Sequence, residues 1–572
     1  MEIVKYKVCS SLDEVSHFKP HVETFCDIET GGLYIDIRLV QVYQPATDAV
    51  VYILDTDIID LEAIKSWLKP LWTIWQGCNY DFGCLHITTE KFDDTLLLAR
   101  IAFPELGEFT LDALAQTFGA GHLYDGLNKK ELQKLGFKKG AYLSQVQLKY
   151  SAADVIALSY IWKAQIIQDA RNVLAYNINI LSLKYAIQYQ QNKLVVHQPS
   201  VMKELAEVEV KIAQWSNKLG GLNPNSPKQC KEALGTTSTD KNTLIKLIAD
   251  GNELAEAIFI QRRLIKRQGF LRSYNYPWVE TRFNPAGAAT GRFTSTGGDL
   301  DRGINAQQIT RDLQYIFHQP TDTTSVVHAD FSTAELRAGC SIMKDEAMYE
   351  ELKQGLDLHK IAATLAMPDK QPHEITKAER QKGKAISFGF IFGMSAESFQ
   401  EYAYVNYGVK FTMDECKMIK QNYSRRYQGI TAYHKKMWNN YKTEPVSTPA
   451  GTRNMARLGT DAINFATQGG IAEVTKLSAH YLCKEFPEAI NYIFNIVHDA
   501  LYLRVPKHDE SLWADRLAES MKKGWSEFCK LPMLFYKDIP MPVEVEWVDP
   551  NTNEHIVKEY QWLGKMIMIT LT

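Results

Sequence analysis

Residues 377–395 read KAERQKGKAISFGFIFGMS and contain the strongest functional pattern of the chain. Arg380, Lys384, Phe388 and Phe392 follow one another at steps of four, so on a helix they share one face with a cationic half and an aromatic half. Arginine and lysine bind phosphates, while aromatic rings stack on a base and a sugar. A solvated basic face that runs into core aromatics is the alternative, and the neighbouring sequence decides against it. The pattern predicts a site for a nucleoside triphosphate.

Two acidic residues lie on either side of this stretch. Asp330 follows the strand-like run SVVH, and Asp499 lies within IFNIVHDALYLRV, a pattern typical of a β-hairpin with an acid at its turn. A buried carboxylate in an apolar hairpin must be neutralised by a partner or a metal ion. The second His-Asp dipeptide, His508 and Asp509, lies in the polar PKHDES and is interpreted as a surface loop. We therefore expect Asp330 and Asp499 to share a pair of metal ions.

A separate group of acids occupies the N-terminal third. Asp27 and Glu29 lie in TFCDIETGGL, where the i, i+2 spacing on a strand directs both carboxylates to one face. Asp81 lies in QGCNYDFGCL, Asp94 lies in FDDTLLLA, and KYSAADVIAL places Tyr150 and Asp154 one helical turn apart. Solvated residues at a strand end are the alternative for the first pair alone. Because buried like charges need cations to neutralise them, convergence of these acids predicts a two-metal phosphodiester hydrolase.

Composition limits the class of protein. A chain of 572 residues with 45% hydrophobic and 23% charged residues is expected to form several packed cores. The formal net charge of -3 gives no global attraction to an anionic polymer, so contacts with nucleic acid must come from local patches. The nine cysteines never occur as CxxC, which indicates reduced thiols and no structural zinc. Without a long apolar run or a signal segment, a soluble cytoplasmic protein is expected.

The predicted pattern of secondary structure changes twice along the chain. Residues 1–165 alternate short β-type runs with helical segments, as an α/β domain does. Long helical patterns follow from residue 166, and after about 320 strands and helices mix as in an α+β domain. The sequence therefore predicts a multidomain α/β and α+β protein.

The N-terminal motifs, in the order DIET, NYDFGCL and YSAAD, resemble those of 3′–5′ proofreading exonucleases of DnaQ-like fold. The resemblance covers residues 1–165 and implies an RNase H-like domain. It implies that Asp27, Glu29, Asp81 and Asp154 hold two Mg²⁺ ions and that Tyr150 orients the attacking water. Gly77 departs from the Asn that relatives often have in the second motif.

The later motifs DFSTAELR, RxxxKxxxFGxxFG and VHD closely resemble the three polymerase motifs of family A DNA polymerases, the bacterial DNA polymerase I family. This resemblance implies a right-hand polymerase domain over 166–572. The thumb is expected at about 180–285, the palm at about 286–350 and 440–572, and the fingers at about 351–439.

The same resemblance assigns residues. Asp330 and Asp499 would bind two catalytic Mg²⁺, for which Mn²⁺ is a substitute, and Glu335 would exclude a ribose 2′-hydroxyl. The triphosphate would be bound by Arg380 and Lys384, with Phe388 and Phe392 beside the nucleoside. Contacts with the primer-template are implied for Arg292, Asn464, Gln468 and His498. Two departures are Phe392 in place of a Tyr and Ala500 in place of the Glu that usually follows the third-motif Asp.

A cationic run, QRRLIKRQGFLR, lies in the expected thumb. It places Arg262, Arg263, Lys266 and Arg267 along one helix, where the resemblance makes a track for DNA phosphates the favoured interpretation and a solvated face the alternative. The apolar tail MIMITLT, from Met566, is interpreted as a core strand or as a strand that binds a partner.

Together these features predict a template-directed DNA polymerase with proofreading activity, laid out as a Klenow fragment or a bacteriophage replicative enzyme. Expected partners are primer-template DNA and dNTPs, with a possible replisome or processivity partner, and the enzyme is expected to act as a monomer in the (host) cytoplasm without a membrane. Two alternatives remain. A single-subunit RNA polymerase shares the palm chemistry, and Ala500 also allows a DNA-binding scaffold or a nuclease with a silent palm.

Overall fold

The computed structural model describes residues 4–32, 36–127, 129–168, 173–297, 300–549, 552 and 554–562. The apolar tail from Met566 lies outside these residues. Among the helices described, none combines the length and the apolar character needed to cross a membrane.

The N-terminal domain is built on a mixed six-stranded sheet of order β1-β4-β3-β2-β5-β6. β3 pairs antiparallel with both β2 and β4, while β5 runs parallel to β2 and β6. This is the α/β architecture that the sequence predicts. Its elements are β1 (Tyr6–Cys9), β2 (Glu23–Thr30), β3 (Ile37–Tyr43), β4 (Val51–Asp55), α1 (Leu61–Leu68), β5 (Trp72–Trp75), α2 (Asn79–Leu85), β6 (Lys91–Asp94), α3 (Thr95–Ala102), α4 (Leu111–Thr117), α5 (Lys129–Leu135) and α6 (Gln145–Ile167).

The long helix α6 closes this domain. Ser144 begins it with a capping box, in which the Ser144 hydroxyl accepts from the Gln147 amide and the Gln147 side chain accepts from the Ser144 amide. The helix packs against β2, β3 and β4, and it carries Tyr150 and Asp154 into the domain interior. Because α6 continues to Ile167, the expected domain boundary at residue 165 falls inside its last turn.

The middle of the chain, from residue 166 to about 320, is largely helical, as predicted, but its described residues also form two short strand pairs, Leu194–Val195 with Trp278–Val279 and Arg282–Asn284 with Thr294–Thr296. Its elements are α7 (Leu174–Tyr189), β7 (Leu194–Val195), α8 (Gln198–Lys218), α9 (Pro227–Leu234), α10 (Lys241–Ala249), α11 (Glu253–Ser273) and β8 (Trp278–Val279). α8 packs against α11. The expected start of the thumb at about 180 falls inside α7, and α7 packs against a long helix of the expected palm, Gly459–Glu485.

A five-stranded antiparallel sheet of order β14-β15-β11-β16-β17 forms the base of the C-terminal half. The elements here are β9 (Arg282–Asn284), β10 (Thr294–Thr296), α12 (Tyr315–His318), β11 (Thr324–Phe331), α13 (Ala334–Met343), α14 (Glu346–Lys353), α15 (Leu358–Thr364), α16 (Lys377–Ile391), α17 (Ala396–Tyr407), α18 (Met413–Arg426), α19 (Gln428–Asn440), β12 (Val446–Ser447), β13 (Arg453–Asn454), α20 (Gly459–Glu485), β14 (Ile493–Val497), β15 (Ala500–Pro506), α21 (Glu510–Cys529), β16 (Met541–Val548) and β17 (His555–Trp562). Helices α20 and α21 pack together and cover one face of the sheet. The mixed α+β prediction for this half is confirmed.

Candidate active sites

The acids of the N-terminal third meet at one end of the first sheet. β2 presents Asp27 and Glu29, and α6 brings Asp154 to them, so that carboxylate oxygens of the three residues lie within 4.8 Å of one another. Burial, and then the charges of Asp81, Asp154 and Glu29, hold the pKa of Asp27 well above its usual range. The structure therefore assembles the four predicted acids, including Asp81 of α2, in one place.

The departure at Gly77 has a conformational reason. Gly77 has a φ of +81°, a region that favours glycine, and a Cβ there would lie 3.1 Å from Leu96. This turn allows Asp94 to accept hydrogen bonds from the amides of Gly77, at 3.2 Å, and Cys78, at 2.7 Å. Asp94 thus fixes the chain just before α2, the helix that carries Asp81.

Tyrosines lie beside the acid group. The hydroxyl of Tyr124 donates a 2.7 Å hydrogen bond to Asp154, and its ring centroid lies 6.3 Å from that of Tyr150. Burial, and then the charge of Asp154, hold the pKa of Tyr150 far above its usual value, so its hydroxyl stays protonated and can donate or accept. Tyr124 was not predicted, because it lies in a short 3₁₀ turn thirty residues before its partner and no spacing links the two.

The two palm acids also meet. Asp330 lies at the end of β11, and Asp499 lies in the two-residue turn between β14 and β15, which the pairing of Val497 with Ala500 defines. This is the hairpin with an acid at its turn that the sequence predicts. His498, the other turn residue, has a φ of +56°, as tight hairpin turns require.

The environment of the palm acids disfavours their charged forms. The side chain of Asp330 is exposed, but the surrounding protein displaces part of its hydration shell, and this desolvation raises its pKa to about 6. A hydrogen bond with Asp499 and the charge of Arg311 oppose the rise. Burial, and then the charge of Asp330, hold the pKa of Asp499 well above its usual range. Two close carboxylates with raised pKa values, offering hard oxygen donors, fit divalent cations such as Mg²⁺. The N-terminal acids fit them for the same reason.

Arg311 and Glu544 are palm residues that the sequence did not single out. Glu544 of β16 pairs directly with Asp330 across the sheet. The charge of Arg311 lowers the pKa of Asp330, Glu544 and Lys384, so Arg311 lies close enough to the palm acids and to helix α16 to act on both. Glu544 could not be predicted because only the pairing of two distant strands brings it to Asp330. Arg311 could not be predicted because it lies in a 3₁₀ turn that follows an irregular insertion.

Helix α16 carries the cationic and aromatic face. Arg380 is held by an ion pair of 2.6 Å with Asp357, and Lys384, on the next turn, is half-buried with a pKa lowered by burial and then by Arg380. The ring centroid of Phe388 lies 5.5 Å from that of His359. Asp357 caps the start of α15, and His359 lies in its first turn. α15 can pack closely against α16 because Gly383 has no Cβ, which would otherwise overlap the carbonyl of His359.

Phe392 lies at the C-terminal end of this helix. The helix ends at Ile391, and Phe392 is the residue that follows its last turn, with φ -93° and ψ 12°. The helix stops there because Gly393, with a φ of +74°, turns the chain. Phe392 is therefore the capping residue of this helix, one turn after Phe388, and it is half-buried.

Of the residues expected at the primer-template, Arg292 and His498 lie beside the palm acids. Arg292 forms an ion pair with Glu335 of α13, and its charge lowers the pKa of both His498 and Asp499. Asn464 and Gln468 lie one turn apart on α20 and are half-buried. Within the described part of the chain, the buried side-chain oxygen of Asn464 accepts no hydrogen bond.

The thumb cations divide into two kinds. Arg262 donates to the backbone carbonyls of Pro224 and Thr239, and Arg267 pairs with Glu204, at 2.7 Å, and with Asp312. These two guanidinium groups hold neighbouring segments of the protein together, which corrects the expectation that all four cations of this helix face DNA.

Arg263 and Lys266 are exposed. Each lies over an aromatic ring of its own helix, at 5.6 Å from the centroid of Phe259 and 5.5 Å from that of Phe270 respectively. Of the four cations that the sequence predicts along this helix, Arg263 and Lys266 are therefore the two available to bind DNA phosphates.

Comparison with known proteins agrees with this arrangement. The chain is 26% identical to DNA polymerase I of Aquifex aeolicus, covering 91% of this chain and 94% of that protein. It is 25% identical to the DNA polymerase of Mycobacterium phage D29, covering 88% and 89% of the two chains. The fold is similar, with a TM-score of 0.73 and 19% identity over 94% of this chain and 97% of the other, to the polymerase domain of Pol1 from M. smegmatis, solved with DNA primer-template and dNTP. Residues 191–550 match the sequence model of DNA polymerase family A, and the chain therefore belongs to that family.

Proposed function

We propose that this family A DNA polymerase extends a DNA primer in its palm and removes nucleotides from the primer 3′ end in its N-terminal domain. The observation that carries the proposal is the presence of two separate carboxylate groups in two different sheets. Asp27 and Glu29 of β2 converge with Asp154 of α6 beside the first sheet, and Asp330 of β11 meets Asp499 of the β14–β15 turn at the second. Each group crowds carboxylates into a small space, and bound cations would keep them charged at neutral pH.

In the palm, this chain's residues would position the two substrates. Family A polymerases use divalent metal ions, and we propose two Mg²⁺ held by Asp330 and Asp499. Such ions supply Lewis acidity, which makes the primer 3′-hydroxyl a better nucleophile and stabilises the leaving pyrophosphate. Lys384 and Arg311 offer positive charge to the triphosphate on the side of the site that faces the fingers.

The remaining palm residues would select and align the nucleotide. Arg380 would bind the triphosphate once it exchanges Asp357 for phosphate, and the Phe388 ring would lie beside the sugar. Glu335, held by Arg292, would occupy the space that a ribose 2′-hydroxyl needs. This arrangement favours a DNA polymerase over an RNA polymerase.

Ala500 does not leave the palm short of acids. It is buried, so its position gives no room for a solvated carboxylate, whereas Glu544 offers one directly across from Asp330. Because Asp330, Asp499, Lys384 and Arg380 are all assembled, we favour an active polymerase over a scaffold with a silent palm.

In the N-terminal domain, the same cation chemistry would act on water. We propose that Asp27, Glu29, Asp81 and Asp154 hold two Mg²⁺, while the protonated hydroxyl of Tyr150 orients the attacking water. Similarity to a mycobacteriophage polymerase over 88% of the chain supports a role in copying a phage genome in the host cytoplasm. Each carboxylate group is complete within one chain, which supports a monomeric enzyme acting on primer-template DNA.

One assay tests both activities. With Mg²⁺ and all four dNTPs, a 5′-labelled primer annealed to a longer template is expected to lengthen to the template end. Without dNTPs the same primer is expected to shorten, and a chelator should stop both reactions. Ribonucleotides in place of dNTPs should give little extension. A primer that fails to shorten, or that lengthens equally well with ribonucleotides, would contradict the corresponding half of the proposal.

The exposed thumb cations are expected to bind DNA phosphates. Replacing Arg263 and Lys266 by Gln should weaken DNA binding for all sequences alike, and should reduce the slope of log K against log salt by about one for each lost contact. The measurement is a salt titration of DNA affinity by fluorescence anisotropy.

The matched control for this prediction is Arg262→Gln on the same helix. Arg262 donates to two backbone carbonyls, so its loss should lower the melting temperature and leave the salt slope unchanged. If the slope for Arg263→Gln with Lys266→Gln equals that of the parent, these two residues are a solvated face.

A further inference from the structure

A buried lysine lies outside the residues used above. Lys476 of α20 is only 2% exposed, and its ammonium group donates to the side-chain oxygen of Asn179, at 2.6 Å, and to the carbonyl of Gly291. Burial lowers its pKa to about 7, and the charge of Glu473, one turn away, opposes that shift. A buried ammonium is costly, and an apolar side chain of similar length would often fill such a space without loss of stability. The specific contribution of Lys476 is therefore geometric.

The carbonyl that Lys476 binds belongs to the turn leading into the palm. Gly291 has a φ of +74°, and the next residue is Arg292. Arg292 forms the ion pair with Glu335 and acts electrostatically on Asp499. Because one peptide bond separates the held carbonyl from Arg292, Lys476 fixes where the Arg292 side chain begins and so where it meets Glu335.

The other partner of Lys476 leads towards the N-terminal domain. Asn179 lies on α7, and so does Tyr176, almost one turn earlier. The Tyr176 hydroxyl donates to the Asp93 carboxylate and accepts from the Asp94 amide, both at 2.9 Å. Asp94 in turn holds the chain in front of α2, which carries Asp81.

α7 makes a second contact with the palm, in addition to that of Asn179 with Lys476. The amide of Ala175, in the first turn of α7, donates to the carbonyl of Ala450 at 3.0 Å. The amide of Ala450 donates to Glu473 at 3.1 Å. α7 is therefore fixed to α20 at two points, through Lys476 and through Glu473, and to strand β6 through Tyr176.

We propose that α7, together with Lys476, couples the N-terminal carboxylate site to the Arg292–Glu335 pair of the palm. Lys476 and Asn179 are positioning residues for that pair, and Tyr176 joins them to the N-terminal domain. The inference rests on the proposed function in one respect, which is the role of Glu335 in rejecting ribonucleotides.

The test measures the ratio of kcat/KM for a dNTP and the matching rNTP in the full-length enzyme. Lys476→Met and Asn179→Leu are each expected to lower this ratio about tenfold, as residues in coupled networks do. The change should come mainly from a higher kcat/KM for the rNTP, because a displaced Glu335 no longer fills the space of the 2′-hydroxyl, while kcat for the dNTP should stay near the parent value because Asp330 and Asp499 are untouched. Asn179→Asp keeps an oxygen facing the ammonium group and should preserve the parent ratio.

The matched control is Asn192→Leu. Asn192 also links the middle of the chain to the palm, donating to the carbonyls of Ile490, at 2.8 Å, and Ile493, at 2.6 Å, but it does not contact the Gly291 turn. Its replacement should lower the melting temperature and leave the ratio unchanged. A ratio that falls as far in Asn192→Leu as in Asn179→Leu would mean that general destabilisation is the cause, and would overturn the inference.

Two further variants separate the steps. Tyr176→Phe removes a hydroxyl whose hydrogen bonds, among the described residues, go to Asp93 and Asp94 of the N-terminal domain, and the ratio is expected to fall about threefold. An unchanged ratio would overturn coupling between the domains.

Glu335→Ala should abolish most rNTP rejection. If it does not, the proposed role of Glu335 is wrong and the inference falls with it. If Glu335→Ala lowers the ratio while Lys476→Met and Asn179→Leu do not, the inference alone is wrong.

Discussion

Replacing Asp330 by Asn is expected to slow primer extension at least about a thousandfold, because the palm then loses one of the two carboxylates that hold its cations, worth several kcal/mol of charge stabilisation. Shortening of the primer 3′ end should continue at the parent rate, since the N-terminal acids lie in another sheet. Asp499→Asn should behave in the same way. Both rates are measured on one labelled primer-template, with and without dNTPs.

Stability distinguishes this loss from misfolding. The folded protein raises the pKa of Asp330 and of Asp499, so it holds their charged forms less favourably than the unfolded chain does. A neutral Asn of the same shape removes that penalty at neutral pH, and the melting temperature should be equal to or higher than that of the parent. Loss of extension together with a lower melting temperature would point to damage to the hairpin instead.

The chain contains a natural control for these variants. Asp509 belongs to the second His-Asp dipeptide, in the loop after β15, and its side chain makes no capping hydrogen bond to the helix that follows. Asp509→Asn changes the same residue type and the same net charge. It should leave both extension and shortening unchanged. Near-parent synthesis by Asp330→Asn or Asp499→Asn would contradict the assignment of the palm cation site.

The fold and the main acids could be predicted because their patterns are local. The apolar run around Asp499 requires a hairpin, the alternation at Asp27 and Glu29 sets one strand face, and the four-residue steps from Arg380 to Phe388 set one helix face. Each of these depends on residues that are close in sequence. The point at which that helix ends, with Phe392 as its cap, is less predictable, since a helix end depends on the backbone of the following glycine.

The residues that could not be predicted depend on contacts between distant segments. Glu544 faces Asp330 only because β16 pairs with β11 in one register, and a shift of one residue would turn it to the opposite face. Arg262 looked identical to Arg263 in the sequence. Only the folded thumb shows that the first donates to carbonyls on another segment while the second is exposed. Charge patterns identify candidate cations but do not show which of them already have partners.

The N-terminal acids resemble those of the palm in that the folded protein raises the pKa of a carboxyl in each group. The pKa of Asp27 is held well above its usual range by burial and by three other acids, so removing charge there should not destabilise the domain. A suitable control removes two acids from the same domain outside this group. Glu62 and Glu90 are both exposed, and Glu62→Ala with Glu90→Ala changes the net charge equally. That variant should shorten and extend primers at the parent rates.

Asp27→Ala with Glu29→Ala is expected to slow removal of 3′-terminal nucleotides at least about a thousandfold, because it takes two of the four carboxylates from the proposed cation site. Primer extension should persist at the parent rate, since Asp330 and Asp499 are unchanged. Mismatched primer ends should then survive, and errors in copied DNA should rise. The measurements are the decay of a 5′-labelled single-stranded oligonucleotide without dNTPs and the error frequency of copied templates. If 3′ ends are trimmed as fast as by the parent, these acids are structural, and the N-terminal domain does not proofread through them.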